Sequence, residues 1–524
     1  MRSRKSLKKQ LVHSLNLIPM RSLSKSKILA YRQCRKRLWL EINHPEARDD
    51  SASAAVFQVG HQVGEVAQKI YDPEGIGDLI SIEQLGYDGA FAHSKTLLAA
   101  GAGPIFEAGV KIDGAISFAD VMLPGRHGDQ LAWKMVEVKS SSKVKDYHRD
   151  DIALQAYVAT ASGITLSAVS LAHIDSTFVY PGEGDYRGLL KENDLTEEAL
   201  SRSEEVKGWI EEAQKIASLK QEPIVEMGSH CKDPVICGFC KYCGTGKLQP
   251  EFPLNYLPRL LGSKREQLEA EGFNDLREVP DEHLSKAQAR VKEHSISGEI
   301  YFDALGAESD LAVYGFPAYF LDFETATFAV PIWKGTRPFQ QLPFQYSLHI
   351  LKENGELCHK DFLDLTGNDP SPRFAESLLA QCGDEGPVFV YNAGFEKMVM
   401  RNLAETFLDL APALNQIIER VVDLLPIARS RYYHPNQQGS WSIKKVLPAA
   451  IPELSYDQLD GVQDGGMAVL AYMEAIAGHA SAERKNEIDV QLRAYCQLDT
   501  LAMVRLWEFF RGSAGFTCSG DMNL

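Results

Sequence analysis

A chain of 524 residues with 44% hydrophobic content exceeds what one ordinary core accommodates, so two or three domains are expected. Its 71 acidic against 55 basic residues leave a formal charge of −16, which excludes a protein that coats nucleic acid by bulk attraction and leaves room for a local basic groove. No run is long and apolar enough for a membrane span, so no membrane partner is expected.

The chain opens with Arg2, Arg4, Lys5, Lys8 and Lys9 before any acid. No apolar h-region follows, which argues against a secretory leader and for a cytoplasmic protein. Met20 offers a second start, so the residues before it read as a loose tail or a mis-assigned beginning. Three segments follow: 1–250, closing on a cysteine cluster; 251–312, helical and charged; and 313–524, opening on the apolar strand AYFLDFET. The middle segment is a helical linker or, through Gly272 between two helical patterns, a helix-hairpin-helix. No P-loop of the form GxxxxGK[ST] is present, so any helicase would be a separate partner.

In the first segment GVKIDGAISFADVML and QLAWKMVEVKS read as strands joined by the turn PGRHGD. Glu137 and Lys139 lie two apart and so share one face, while Val136 and Val138 face the other way. Asp120, on the preceding strand, comes within reach of Glu137. The amphipathic stretch DDIALQAYVATASG follows, with Gln155 and Tyr157. Two carboxylates suit a hard divalent cation, and a nearby ammonium can position water and offset charge on a phosphorane. An ion pair on an ordinary hairpin would carry the same triplet.

Cys231, Cys237, Cys240 and Cys243 crowd into HCKDPVICGFCKYC, and Cys34 stands far upstream in YRQCRKRLWL. Without a secretory leader this crowding points to metal or cluster ligation, by zinc or iron and sulfur. Cys358, Cys382, Cys496 and Cys518 are isolated and read as packing residues.

In the last segment Asp322 and Glu324 interrupt an apolar strand at a spacing of two, so both carboxylates share a face. Burying two acids there is costly unless something positive meets them. VFVYNAGFEKMVM is a second strand turning into a helix that bears Glu396. EIDVQLRAYCQLDTLAMVRLWEFF is helical, with Tyr495 and Asp499 one turn apart on one face. Asp423 is a candidate auxiliary acid. YYHPNQQGSWSIKKVLP offers Lys444, Lys445 and aromatic rings to a nucleic-acid groove, or forms a solvated loop.

Asp120, Glu137-Val-Lys139 and Gln155-Ala-Tyr157, in that order, resemble the motifs of the RecB-type branch of PD-(D/E)XK nucleases. Glu107 and His61 stand where that branch has upstream ligands. The resemblance implies a restriction-endonuclease-like α/β domain with a divalent cation held by Asp120 and Glu137. In the iron–sulfur members, one cysteine before the core and three after it hold a 4Fe–4S cluster, which implies Cys34 and three of Cys231, Cys237, Cys240 and Cys243. The downstream gaps here depart from the usual C-x2-C-x5-C, and which cysteine is spare stays open, as does zinc.

The acidic strand, the YNAGFE segment and the last helix resemble the DEDDy exonucleases of the RNase H-like fold. That resemblance implies Asp322, Glu324 and Asp499 holding two Mg²⁺ or Mn²⁺ ions about 4 Å apart, Glu396 in the place of the third acid, Tyr495 orienting water, and 3′→5′ removal of nucleotides. Together the two resemblances cover nearly the whole chain and match a bacterial family that combines both modules. The expected function is a metal-dependent nuclease, acting on single-stranded DNA ends in repair or defence. An RNA-processing exonuclease and a non-catalytic iron–sulfur nucleic-acid-binding protein are the alternatives.

Overall fold

The computed structural model describes residues 21–49, 54–245 and 250–512. The basic N-terminal stretch, the alternative start at Met20 and Cys518 lie outside these residues. The protein is mixed α/β, and its chain divides into two compact units. One comprises residues up to 247 together with 328–339, and the other 248–327 together with 340 onward. No helix among the described residues is long and apolar enough to cross a membrane.

The first unit is built on a seven-stranded sheet. Its strands are β1 (Leu23–Ser24), β2 (Asp78–Leu79), β3 (Ile105–Ile112), β4 (Ala115–His127), β5 (Gln130–Lys139), β6 (Leu166–Ile174) and β7 (Leu190–Asp194). The order is β2-β3-β4-β5-β6-β7, with β1 pairing on β4. β3, β4 and β5 form an antiparallel meander, whereas β5 and β6 run parallel. A parallel pair needs a crossover, and helix Asp146–Ala161 supplies it. That helix buries Ile152, Leu154, Ala156 and Val158 among Trp133, Met135, Val169 and Leu171, which form the main core.

Residues 328–339 leave the second unit's sheet between two of its strands and complete the first unit's packing. Ala329 and Val330 are buried with Val63, Val66, Ile174 and Leu189, and Val138 packs against the same cluster. The Tyr186 hydroxyl donates to the Pro331 carbonyl at 3.1 Å. Tyr180 N donates to the Thr336 carbonyl at 3.0 Å, and Gly335 N donates back to the Tyr180 carbonyl at 2.8 Å.

The second unit holds β8 (Tyr301–Phe302), β9 (Ala318–Ala326), β10 (Leu342–Leu351), β11 (Leu357–Leu363), β12 (Val388–Val390), β13 (Val421–Asp423) and β14 (Tyr432–Tyr433). Five of them form a sheet of order β11-β10-β9-β12-β13. β9 is central, antiparallel to β10 and parallel to β12. Apolar side chains cover both of its faces, as a central strand requires. Tyr319, Leu321 and Phe323 pack on one side with Phe374, Leu378, Val399 and Leu403. On the other side Phe320 meets Trp507 of helix Ala482–Arg511 edge-on, with ring centroids 5.9 Å apart. The helix starts at Ser481, whose hydroxyl accepts from Arg484 N, and ends at Gly512 with φ of 70°.

The helical stretch 251–312 belongs to this second unit. Loop residue Gly439 presses against it: a Cβ there would stand 1.7 Å from the Tyr256 carbonyl oxygen, and the backbone has φ of +79°. Only glycine meets both conditions.

Candidate functional site

Two acidic centres form, one in each unit. In the first, strand register does the placing. Val121 pairs with Val136 across β4 and β5, which brings Asp120 level with Glu137. Phe106–Val121 and Ala108–Ala119 pairing sets Glu107 level with Asp120. Glu107, Asp120 and Glu137 thus form a row across three strands. Ladder pairing between β4 and β5 stops there, and Asp120 Oδ2 accepts from Val138 N at 2.7 Å in its place. Val136 and Val138 pack in apolar clusters.

The row meets two lysines. Lys139 Nζ bonds Glu137 Oε1 and Asp151 Oδ2, both at 2.5 Å. Lys25, on the helix after β1, reaches Glu137 Oε1 at 2.9 Å and Asp151 Oδ1 at 3.2 Å. Gln155 donates to Glu137 Oε2 and, at 3.2 Å, to Asp151 Oδ1. Glu137, Asp151 and Gln155 are buried. Burial, then the Glu137 charge, pushes the Asp120 carboxyl well above the usual range. Burial also works against Lys139, but Asp151 and Glu137 outweigh it and hold its ammonium well above the ordinary lysine value. Burial would likewise raise Asp151, yet Lys139 and Lys25 hold it far below. A cleft of about 810 Å³ opens on this centre, lined by Lys25, His61, Glu107, Asp120, Glu137 and Lys139. Tyr157 is elsewhere, partly buried against the main core.

The expected residues Asp120, Glu137, Lys139 and Gln155 therefore come together, and His61 and Glu107 line the same cleft. Lys25 and Asp151 were missed. Asp151 sits one helical turn before Gln155, so the i, i+4 rule carried a signal. Lys25 reaches the site from far away in sequence, and no local pattern marks it.

In the second unit Asp322, Glu324 and Asp499 each offer a carboxylate oxygen, and these atoms all lie within 4.8 Å of one another. Asp322 and Glu324 lie on the face of β9 that carries Phe320, toward the long helix. Asp499 projects from that helix, four residues after buried Tyr495. The Tyr456 hydroxyl donates to Asp499 Oδ1 at 2.6 Å. Lys444 Nζ lies 5.1 Å from the Tyr456 ring centre and 4.9 Å from that of Tyr495. Glu396 is 3% exposed, and its Oε2 has no hydrogen-bond partner; it stands outside the 4.8 Å group.

Burial acts on all four acids, and repulsion between the acids adds to it at Asp322 and Glu324. Burial, then Asp499 and Glu324, pushes Asp322 well above its usual range. Burial and Asp499 push Glu324 up to about 8. Glu396 is pushed up to about 8, chiefly by burial. Asp499 rises to about 6 through burial, tempered by its bond from Tyr456. A carboxyl raised in the folded state binds its proton more tightly than in the unfolded chain. Without metal, stability from these groups is present below the unfolded values near 4 and is lost as pH climbs to about 8. The melting temperature in chelator should therefore fall from about pH 5 to about pH 8.5, and Mn²⁺ should restore it most at the upper end. Superimposable melts with and without Mn²⁺ at both pH values would contradict this.

Asp423 does not join the centre as an auxiliary acid. Its oxygens accept from Asn392 N, Ala393 N and Leu425 N at 2.9, 3.1 and 2.9 Å, so it holds the turn after β12 and caps the next helix. Tyr456 was missed, because it comes from a loop 43 positions before Asp499.

The cysteines form a third centre. Cys34, Cys231, Cys237, Cys240 and Cys243 line one small cavity in the first unit. Cys34 sits at the break between helices Lys25–Gln33 and Arg35–Asn43. Gln33 Nε2 donates to the His230 and Val235 carbonyls, each at 2.7 Å, which ties that break to the cysteine loop. Burial pushes the Cys237, Cys240 and Cys243 thiols up. Among the described residues, the acid triad is the group of three or more ligand atoms that converges within 4.8 Å. Cys382 and Cys496 are buried, as packing residues should be.

A family model described as a domain of unknown function, DUF2779, matches residues 319–442. The match includes Asp322, Glu324 and Glu396 and ends before Asp499. The chain is 29% identical over 213 residues to the uncharacterized protein MG366 homolog of Mycoplasma pneumoniae, covering 37% of this chain and 32% of that protein. It is 24% identical over 212 residues to the uncharacterized protein MG366 of Mycoplasma genitalium, with the same shares. The chain spans about a third of the length of the curated relatives it matches.

Proposed function

We propose that the protein is a metal-dependent nuclease with an RNase H-like, DEDDy-type centre in its second unit and a PD-(D/E)XK centre of RecB type in its first. One observation carries the reading: the carboxylates of Asp322, Glu324 and Asp499 converge within 4.8 Å, with Asp499 buried and Asp322 half-buried. Their repulsion is unfavourable unless a divalent ion compensates it. Mg²⁺ or Mn²⁺ fits this all-oxygen donor set, and bound there it would polarise a phosphate and activate water. Asp322 and Glu324 would hold the ions from the strand and Asp499 from the helix. Tyr456 fixes the Asp499 carboxylate by its hydrogen bond. Tyr495 stands beside Asp499 to orient water, and Lys444 lies over both rings to meet a phosphate oxygen. Glu396, buried with an unpartnered oxygen, supplies a further acid through the longer side chain.

In the first unit the row of Asp120 and Glu137 would take one ion, with Lys139 beside it, and Lys25 would retain Asp151 as its partner. Cys34 shares one cavity with the four downstream cysteines, which supports a 4Fe–4S group with Cys34 closing the ring from the N-terminal helices; zinc is the alternative. Such a group would be structural, tying the two ends of the unit together. Anaerobically purified protein should contain iron and acid-labile sulfide, and Cys34→Ser should lose both; stoichiometric zinc without iron would overturn this assignment.

The functional test is an end-labelled single-stranded DNA or RNA incubated with Mn²⁺ or with chelator. Shortening from the 3′ end is expected with Mn²⁺ alone, abolished by Asp322→Ala. Glu137→Ala should remove any cleavage that survives in Asp322→Ala. If neither substitution lowers hydrolysis, the two-centre reading fails. DNA is favoured over RNA as substrate, and the same assay decides between them.

A further inference from the structure

The second unit carries a cleft of about 1140 Å³ whose walls come from two parts of the sequence. One wall is the helical stretch 255–290. The other is the end of β12 with helix Leu424–Arg431 and residues 439–443. Its charge is unlike that of the chain. Arg259, Lys286, Arg290 and Arg429 line it, and no aspartate or glutamate does, although the sequence holds 71 acids. Arg259, Lys286 and Arg429 are exposed. Among the described residues none of the four forms an ion pair. Arg290 donates to the Arg429 and Ser430 carbonyls at 3.2 and 2.8 Å and lies 4.0 Å from the Tyr301 ring centre, which fixes one wall against the other.

Two stretches of the cleft's lining run on in sequence into residues of the acid centre. Asn392, on its wall, is four residues before Glu396. Ser442 and Ile443 line it, and the next residue is Lys444, whose ammonium lies over Tyr456 and Tyr495 beside Asp499. The Tyr391 hydroxyl donates to the Trp441 carbonyl at 2.7 Å and joins the two linings.

We propose that this cleft binds the phosphodiester backbone of a single-stranded nucleic acid and delivers its end to the acid centre. Unpaired guanidinium forks and an ammonium repel one another, and a chain of phosphates relieves that repulsion. A half-open cleft of this volume lets a single strand lie with its phosphates against the basic walls. The destination of the strand rests on the hydrolytic reading above; the binding does not. Of the lysine-and-aromatic segment that the sequence nominated, Gly439 to Ile443 line the cleft, whereas Lys444 and Lys445 do not.

The test is fluorescence anisotropy of labelled oligothymidylate with the full chain in chelator, where hydrolysis is off. Arg259→Gln, Lys286→Gln and Arg429→Gln combined should weaken binding about 100-fold at 0.1 M salt and flatten the log K against log [salt] slope by about 2, three contacts at about 0.7 each. Lys286→Glu alone should weaken it further than Lys286→Gln. All three variants change exposed side chains, and an unchanged melting temperature verifies their folding. Wild-type affinity in the triple variant, or no binding by the wild type, overturns the proposal. Separately, wild-type protein is offered a p-nitrophenyl ester of thymidine 5′-phosphate with Mn²⁺, a substrate too small to need the cleft. Hydrolysis there with no oligonucleotide binding sinks the cleft and leaves the nuclease reading; binding without hydrolysis does the reverse.

Discussion

Asp322→Asn is expected to act in two opposite directions. Hydrolysis should fall by roughly 10³-fold or more, since one bound divalent ion stabilises the transition state by several kcal/mol. The metal-free protein, in contrast, should become more stable, by on the order of 1 kcal/mol. The reason is local: burial and the charges of Asp499, Glu324 and Glu396 already press on the Asp322 carboxylate, and asparagine keeps the shape without the charge. The gain should grow with pH, because the unfolded carboxyl ionises near pH 4 while the buried one holds its proton to a much higher pH. Urea melts in chelator at about pH 6 and about pH 8.5 read the stability. A variant that is less stable than wild type at the higher pH, or that still hydrolyses with Mn²⁺, would show that these acids are not held together for a cation.

The second large effect belongs to the other unit. Lys139→Met leaves Glu137 and Asp151 with one ammonium in place of two, and both carboxylates are buried. Removing one partner from a buried ion pair costs about 3–5 kcal/mol. A cost near 3 is expected here, because Lys25 still contacts the same two acids at 2.9 and 3.2 Å. Lys25→Met should cost less, its contacts of 2.9 and 3.2 Å being longer than the 2.5 Å contacts of Lys139. The double variant should cost more than the sum, as neither carboxylate then keeps a cation. Mn²⁺ should recover part of the Lys139→Met loss by taking the vacated position. Thermal melts of the three variants with and without Mn²⁺ check this; a Lys139→Met protein within about 0.5 kcal/mol of wild type would place the pair among ordinary surface interactions.

Local periodicity carried most of what was legible. A spacing of two on β9 put Asp322 and Glu324 on one face, and a spacing of four on the last helix paired Tyr495 with Asp499. The strand–turn–strand–helix run around EVK likewise anticipated Asp120, Glu137, Lys139 and Gln155 in one centre. What stayed hidden depends on long closure. Lys25 meets Glu137 across 112 positions, and Tyr456 meets Asp499 across 43. Neither has a repeat or a partner nearby in sequence. Residues 328–339 fall inside the last segment of the sequence, yet Ala329 and Val330 are buried in a core cluster of the first unit; their apolar run is too short to show a period. Asp423 was misjudged for a different reason. A carboxylate just after an apolar strand suits metal binding and helix capping equally, and only the three backbone amides aimed at it decide for the cap.

The most direct measurement is anomalous diffraction from crystals of the full chain soaked in manganese. A peak bridging the Asp322, Glu324 and Asp499 carboxylates is the predicted result. A well-ordered acid cluster with no peak there, at manganese concentrations that support hydrolysis, would contradict the account.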